Sequence, residues 1–235
     1  MISGNEWHES FPGEKRYYEY ELGRNGRFER GRLLRKELYR PPVRDGEEPA
    51  WFVTCHYEGT THNPALRRRE CSDHTTYFEG EEGAEHKVRV EHANGAVQHF
   101  EGEHDKERHV RTDHAEGTAE HYEGLRGEER LVRTEYENGD ALHFEGLRGK
   151  ERRVRIDCAN GDVHHYEGER GEECVQKIVR SNGVEEHYTG PMGEECLRKA
   201  VRADGALRHF VGPKGEEHVR SAFDPATGNM LFYDG

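Results

Sequence analysis

Seventeen histidines stand in this 235-residue chain, and six of them recur every 22 residues, at His99, His121, His143, His165, His187 and His209. Imidazoles at that density offer two chemistries, metal ligation and a charge that switches near pH 6. Metal ligands must converge on one ion. Equivalent residues on successive hairpins instead stand roughly 10 Å apart, two strand spacings. A second ligand must come from a neighbouring strand, and His164 with His165, or His92 with His99, are the places where one is available. The geometry favours a repeat-position role, and no metal site is assigned.

The paired acids Glu128-Glu129, Glu172-Glu173, Glu194-Glu195 and Glu216-Glu217 resemble catalytic carboxylates in type but not in arrangement. They recur at every turn, as a solvated, solubilising edge does, whereas an active site is a unique concave constellation. No phosphate-binding glycine loop, nucleophile elbow or His-Glu-x-x-His occurs. The cysteines, Cys55, Cys71, Cys158, Cys174 and Cys196, form no Cys-x-x-Cys pair. Cys174 and Cys196 lie two strands apart, too far for a disulfide, so free thiols are expected. The chain reads as non-enzymatic, without cofactor or small-molecule substrate.

Composition narrows the class further. Hydrophobic residues make up 31% and charged residues 35%, which by itself points toward disorder. A strict period points the other way, because repeat units bury their faces against one another and need no thick core. The net charge of −13, with both signs mixed, disfavours nucleic acid, which needs a basic footprint. No apolar run spans a membrane and the N-terminus is not signal-like, so an intracellular, cytoplasmic or cytoskeleton-associated protein is expected.

These residues sit in a repeating sentence. His121-Tyr122-Glu123-Gly124 returns as His143-Phe144-Glu145-Gly146, after Gly127 and then Asn138-Gly139. Asn-Gly favours positive φ and a hairpin turn. Each repeat therefore predicts two antiparallel strands, and the whole predicts an all-β, elongated single-layer antiparallel meander of ~22-residue hairpins. Residues 1–12 read as an irregular segment and 13–235 as one repeat domain. Within it, 13–76 are degenerate repeats, 77–222 regular ones and 223–235 a capping strand. Asn25-Gly26 marks a turn, Pro41-Pro42 excludes a ladder position, and 43–49 and 60–64 are irregular connections. A glycine recurs in the second turn of each repeat, with Asp105 substituting once.

Alternation assigns the faces. A bulged Asn138-Gly139 turn puts Thr134 opposite Leu142 and Val132 opposite Phe144, so valines and aromatics share one face. The aromatic row is Phe78, Phe100, Tyr122, Phe144, Tyr166, Tyr188 and Phe210. The opposite face carries the histidines with Glu101, Glu123, Glu145 and Glu167 and with Arg89, Arg111, Arg133 and Arg155, which suggests cross-strand Arg–Glu pairs. In the last repeats Gln176 and Arg198 replace the valine while Val175, Ile178, Val179, Leu197 and Val201 shift the apolar positions. Either a register change or a different apolar surface follows.

On Tyr122-Glu123-Gly124, Gly127 and Asn138-Gly139, and on Tyr166-Glu167-Gly168, Gly171 and Asn182-Gly183, the chain resembles the MORN repeat family. The resemblance covers about residues 57–235. The family's second-strand Gly-x-Gly is replaced here by charged strands such as Leu131-Val132-Arg133-Thr134-Glu135. The resemblance implies a curved antiparallel sheet serving as a scaffold or docking surface, with membrane, cytoskeletal or self-association roles in some members.

A non-catalytic scaffold that binds another protein or itself is the expectation, through the aromatic row or an exposed strand edge. The alternative is an acidic, His-rich module for a metal ion or a charged membrane surface.

Overall fold

The computed structural model describes residues 6–11, 13–22, 28–40, 50–60 and 62–233. They form twenty strands in a single open antiparallel sheet, with no helix among them and hence none long and apolar enough to cross a membrane. The Asn25-Gly26 turn and the Pro41-Pro42 connection lie outside the described residues. The sequence reading treats 1–12 as irregular, whereas Glu6–Phe11 is a strand paired with Glu14–Leu22.

Packing divides the chain into two compact units, one of residues 1–115 with 125–127, the other of 116–124 with 128–235. In the first, the strands lengthen to Phe28–Arg40 and Ala50–Thr60 before settling into repeats such as His86–His92 and Val97–Glu101. The second alternates six-residue strands such as Arg130–Glu135 and Arg152–Asp157 with five-residue strands such as Ala141–Glu145 and Val163–Glu167.

Two turn designs alternate within each unit. At Asn138-Gly139, the Gly139 amide donates to Tyr136 O and the Tyr136 amide to Asp140 O, both at 2.9 Å. Gly139 sits at φ +91, an αL bulge closing a three-residue loop. Thr134 consequently pairs with Leu142 and Arg133 with His143, the register expected from a bulged turn. At the other turn, Gly146 (φ +119) is obligatory because a Cβ there would meet the Lys150 carbonyl oxygen at 2.7 Å. Gly149 (φ +76) faces open space, and its counterpart Asp105 adopts φ +61.

A second bulge recurs that sequence periodicity did not reveal. His143 pairs with Arg155, but Phe144 pairs with Arg153, leaving Val154 as the extra residue. The same step occurs at His99/Phe100, His121/Tyr122, His165/Tyr166 and His187/Tyr188. Two residues therefore oppose each aromatic ring. This explains the shifted apolar residues of the last repeats without any register change. Tyr166 still pairs with Val175, and Tyr188 with Leu197, while Gln176 and Arg198 occupy the extra position. The apolar residue has moved from one half of the bulge to the other.

Burial is shallow, as a single layer requires. Among the described residues no side chain is below 2% exposure, and the buried positions are mostly small residues such as Thr76, Val90, Thr112, Thr134 and Ala141, with Tyr18 and Ile178 as larger members.

Candidate functional site

Two faces and two rims carry the side chains of interest. Every member of the predicted aromatic row is half-buried. In the first unit, Lys87 Nζ sits 3.5 Å from the centroid of Phe100, which also packs against His109 at 5.4 Å; Arg69 lies 5.4 Å from that of Phe78. In the second, Arg153 lies 4.1 Å from the Tyr166 ring. Cation–π contacts thus roof part of the row. Burial, then Glu186, pushes the Tyr188 hydroxyl up to about 12, while its O–H donates to Glu186 at 3.0 Å. Beside Phe144 a shallow cleft of about 420 Å³ has a lining that includes Leu131, Leu142 and Arg153.

On the other face three of the six repeat histidines meet an acid on the neighbouring strand. His99 Nε2 lies 2.9 Å from Asp113 and His143 Nε2 2.9 Å from Asp157. His121 stands 3.4 Å from Glu135. Each acid is shared with the arginine two residues before it: Arg111 reaches Asp113 at 2.7 Å, Arg133 reaches Glu135 at 2.9 Å and Arg155 reaches Asp157 at 2.5 Å. Burial raises the Asp157 carboxyl, but Arg155 and His143 more than offset it and hold it below the ordinary range; Asp113 behaves likewise with Arg111 and His99.

The expected pairing of these arginines with Glu101, Glu123 and Glu145 is therefore corrected. Those acids are held by Arg108 (2.9 Å), Arg130 (3.5 Å) and Arg152 (3.7 Å) instead, because the bulge carries the next strand's arginine to them. The ladder lapses where Val179 replaces the acid. There burial, Arg155 and Lys177 depress His165 and keep it neutral more readily. Among the described residues no group of three or more His, Cys, Asp or Glu is arranged to hold a metal ion. All five cysteines are free thiols.

At the Gly-turn rim the paired acids divide their labour. The first of each pair, Glu128, Glu172, Glu194 or Glu216, is exposed as a solubilising edge should be. The second is a clamp in two of these pairs, at Glu173 and Glu217, and so is Glu85 at the equivalent position, which corrects that reading for those acids. Glu85 takes the Gly83 amide at 2.8 Å on Oε2 and the Leu66 amide, 19 residues back, at 3.0 Å on Oε1. Glu173 does the same for Gly171 (3.1 Å) and Arg153 (3.3 Å), and Glu217 for Gly215 (2.7 Å) and Leu197 (3.2 Å). Leu66, Arg153 and Leu197 are bulge residues that oppose an aromatic. A bulge interrupts the ladder, and the next repeat's carboxylate accepts the amide there. The recurrence of a Glu two residues after the turn glycine was visible in sequence; the second bulge that gives it work was not.

The large apolar side chains that stand most open are turn-tip and edge residues which the sequence reading did not single out. Leu147 is 75% exposed and Phe232 77%, and the latter lies in the final strand Asn229–Phe232, which among the described residues pairs on one side only. Every residue of that strand is exposed and none is charged.

No protein-family model matches the chain, and no curated protein matches it. Among solved structures it is similar to a chain of the TcdB2-TccC3 crystal structure at 7% identity and a TM-score of 0.24, over 97% of this chain and 16% of that one. It is also similar, at 8% identity and a TM-score of 0.25, to a chain of the Photorhabdus luminescens Tc holotoxin pore carrying a mutated TccC3, over 94% of this chain and 14% of that one. The chain therefore spans less than a fifth of either protein's length, and scores this low carry no argument about fold or role.

Proposed function

We propose that this protein is a non-catalytic, MORN-like repeat scaffold that binds another protein through its aromatic face. The carrying observation is the half-exposed ring row, Tyr122, Phe144, Tyr166, Tyr188 and Phe210 in one unit and Phe78 and Phe100 in the other, repeated in register with a shallow cleft beside Phe144. Tyrosine and phenylalanine beside arginine are what protein interfaces enrich. The opposite face spends its side chains on internal ion pairs, which suits solvent contact better than docking.

The test compares Tyr122→Ser with Phe144→Ser against His121→Ser with His143→Ser, each folded by circular dichroism. Quantitative capture from native extract should lose the same specific partners with the aromatic pair and keep them with the histidine pair. Loss with the histidine pair alone reverses the assignment of faces.

A further inference from the structure

The repeats allow one site to be compared with its own earlier copy. Arg180 donates from Nε and Nη2 to Glu186 Oε2, at 2.9 and 2.6 Å, and from Nη1 to Asp162 Oδ2 at 3.0 Å. Twenty-two residues later Arg202 stands for Arg180, Arg208 for Glu186 and Val184 for Asp162. Both carboxylates are gone and a second guanidinium has arrived. Arg202 keeps only a 3.9 Å approach to Asp204 with 60% of its side chain exposed, and the Arg208 guanidinium makes no hydrogen bond or ion pair among the described residues.

The turns beside this site have also lost their tie. In earlier repeats the Ala159 and Ser181 amides donate to Asp140 and Asp162, both at 2.8 Å. At the corresponding place Ala206 replaces the acid and Pro225, which has no N–H, replaces the donor. A Cβ on Gly205 would clear Pro225 by 3.8 Å, against 3.1 Å between Gly161 and Ser181. The opening is a cavity of about 560 Å³ whose lining includes Arg202, Arg208, Ala222, Phe223, Leu231 and Tyr233.

Asp204 and Asp224 line it too; both oxygens of Asp224 and one of Asp204 are occupied by their own turns, and the other Asp204 oxygen stays 3.9 Å from Arg202. Asp204 Oδ1 takes the Ala206 amide at 3.0 Å, and Asp224 takes the Ala226 amide and the Thr227 hydroxyl, both at 2.9 Å.

We propose that this cavity binds a small monocarboxylic acid with an aliphatic or aromatic body. Arg202 and Arg208 grip the carboxylate where Glu186 and Asp162 sit one repeat earlier, and Leu231 and Tyr233, on the same face as Arg208 and Ala222, flank the body. Guanidinium groups favour planar, bidentate carboxylates, and the volume falls in the range of small-molecule sites. The net charge of −13 repels anions at a distance, so affinity must come from these local contacts and from apolar burial.

Amide chemical shifts of the full chain, titrated with hexanoate, acetate and inorganic phosphate in parallel, test this. Hexanoate should shift residues 202–208 and 222–233 saturably, with acetate and phosphate weaker by about tenfold or more. Arg208→Glu rebuilds the Arg180–Glu186 pair, so it should fold, melt no lower than the parent and lose hexanoate binding by about tenfold or more; Arg202→Gln should weaken it similarly. Equal binding of hexanoate by Arg208→Glu and the parent overturns the proposal. So does phosphate binding tighter than hexanoate, acetate matching it, or the absence of saturable shifts at about 20 mM, the range two charge-assisted contacts support.

Discussion

Replacing Glu85 by glutamine separates a clamp from a solubilising edge. The carboxylate accepts the Gly83 amide at 2.8 Å and the Leu66 amide at 3.0 Å, so it joins its own turn to the bulge of the preceding repeat. Glutamine keeps one acceptor, and its NH₂ must then confront one of the two amides. The loss is one charge-assisted hydrogen bond, with a partly buried donor left unmatched, or about 1–3 kcal/mol. For a chain of this size each kcal/mol moves Tm by roughly 2–4 °C, so a fall of about 2–12 °C is expected in a thermal melt. The Leu66 amide should exchange faster with deuterium in the variant. Glu82→Gln, at an exposed neighbour, supplies the control and should change stability by less than about 0.5 kcal/mol.

The acid limb gives a second reading of the same clamp. Burial raises the Glu85 carboxyl, while the Leu66, Glu85 and Gly83 amides lower it further, for a net depression below 4.5. A depressed carboxylate contributes stability that is present above its unfolded pKa and is lost as pH falls through the folded value. Glu85→Gln should therefore lose stability at pH 7 and converge with the parent in acid. An unchanged melt together with unchanged Leu66 exchange refutes the clamp.

Other expectations follow from the same geometry. Gly146→Ala should destabilise markedly, since its Cβ would meet the Lys150 oxygen at 2.7 Å, whereas Gly149→Asp should be tolerated as Asp105 is; a reversed order of melting temperatures contradicts the two-turn reading. Because burial, Arg155 and Lys177 depress His165, and burial with Arg180 depresses His164, their contribution is full above 6.5 and lost as pH falls below it; imidazole titrations followed by NMR should place both below His in a denatured chain.

Much of this fold was legible because turn chemistry is local. Asn138-Gly139 demanded positive φ, and a bulge there followed from asking which register puts the valines beside the rings. The second bulge was not legible. It arises from the cross-strand step between His143 and Phe144, where the extra residue is an ordinary Val154, Gln176 or Arg198 with no turn signal of its own. Without that bulge, Glu173 and Glu217 looked like spare surface charge, and the row of Arg111, Arg133 and Arg155 was set against the row of Glu101, Glu123 and Glu145. The aromatic row was plain from its period, but its roofing by Lys87 and Arg153 depends on long side chains reaching a neighbouring strand. The cavity beside Arg208 was invisible for a different reason: it is defined by what is missing there, the carboxylates that Glu186 and Asp162 supply one repeat before.

The aromatic face as the protein contact can be tested by placing a photo-crosslinking benzophenone amino acid at position 144, and separately at position 143, in the otherwise unchanged chain. Phe144 and His143 are adjacent in sequence and point to opposite faces of one strand. Irradiation in native extract should give a discrete partner adduct from position 144, competed away by unlabelled protein, and none from position 143. An adduct from position 143 with none from position 144 would contradict the proposed docking face.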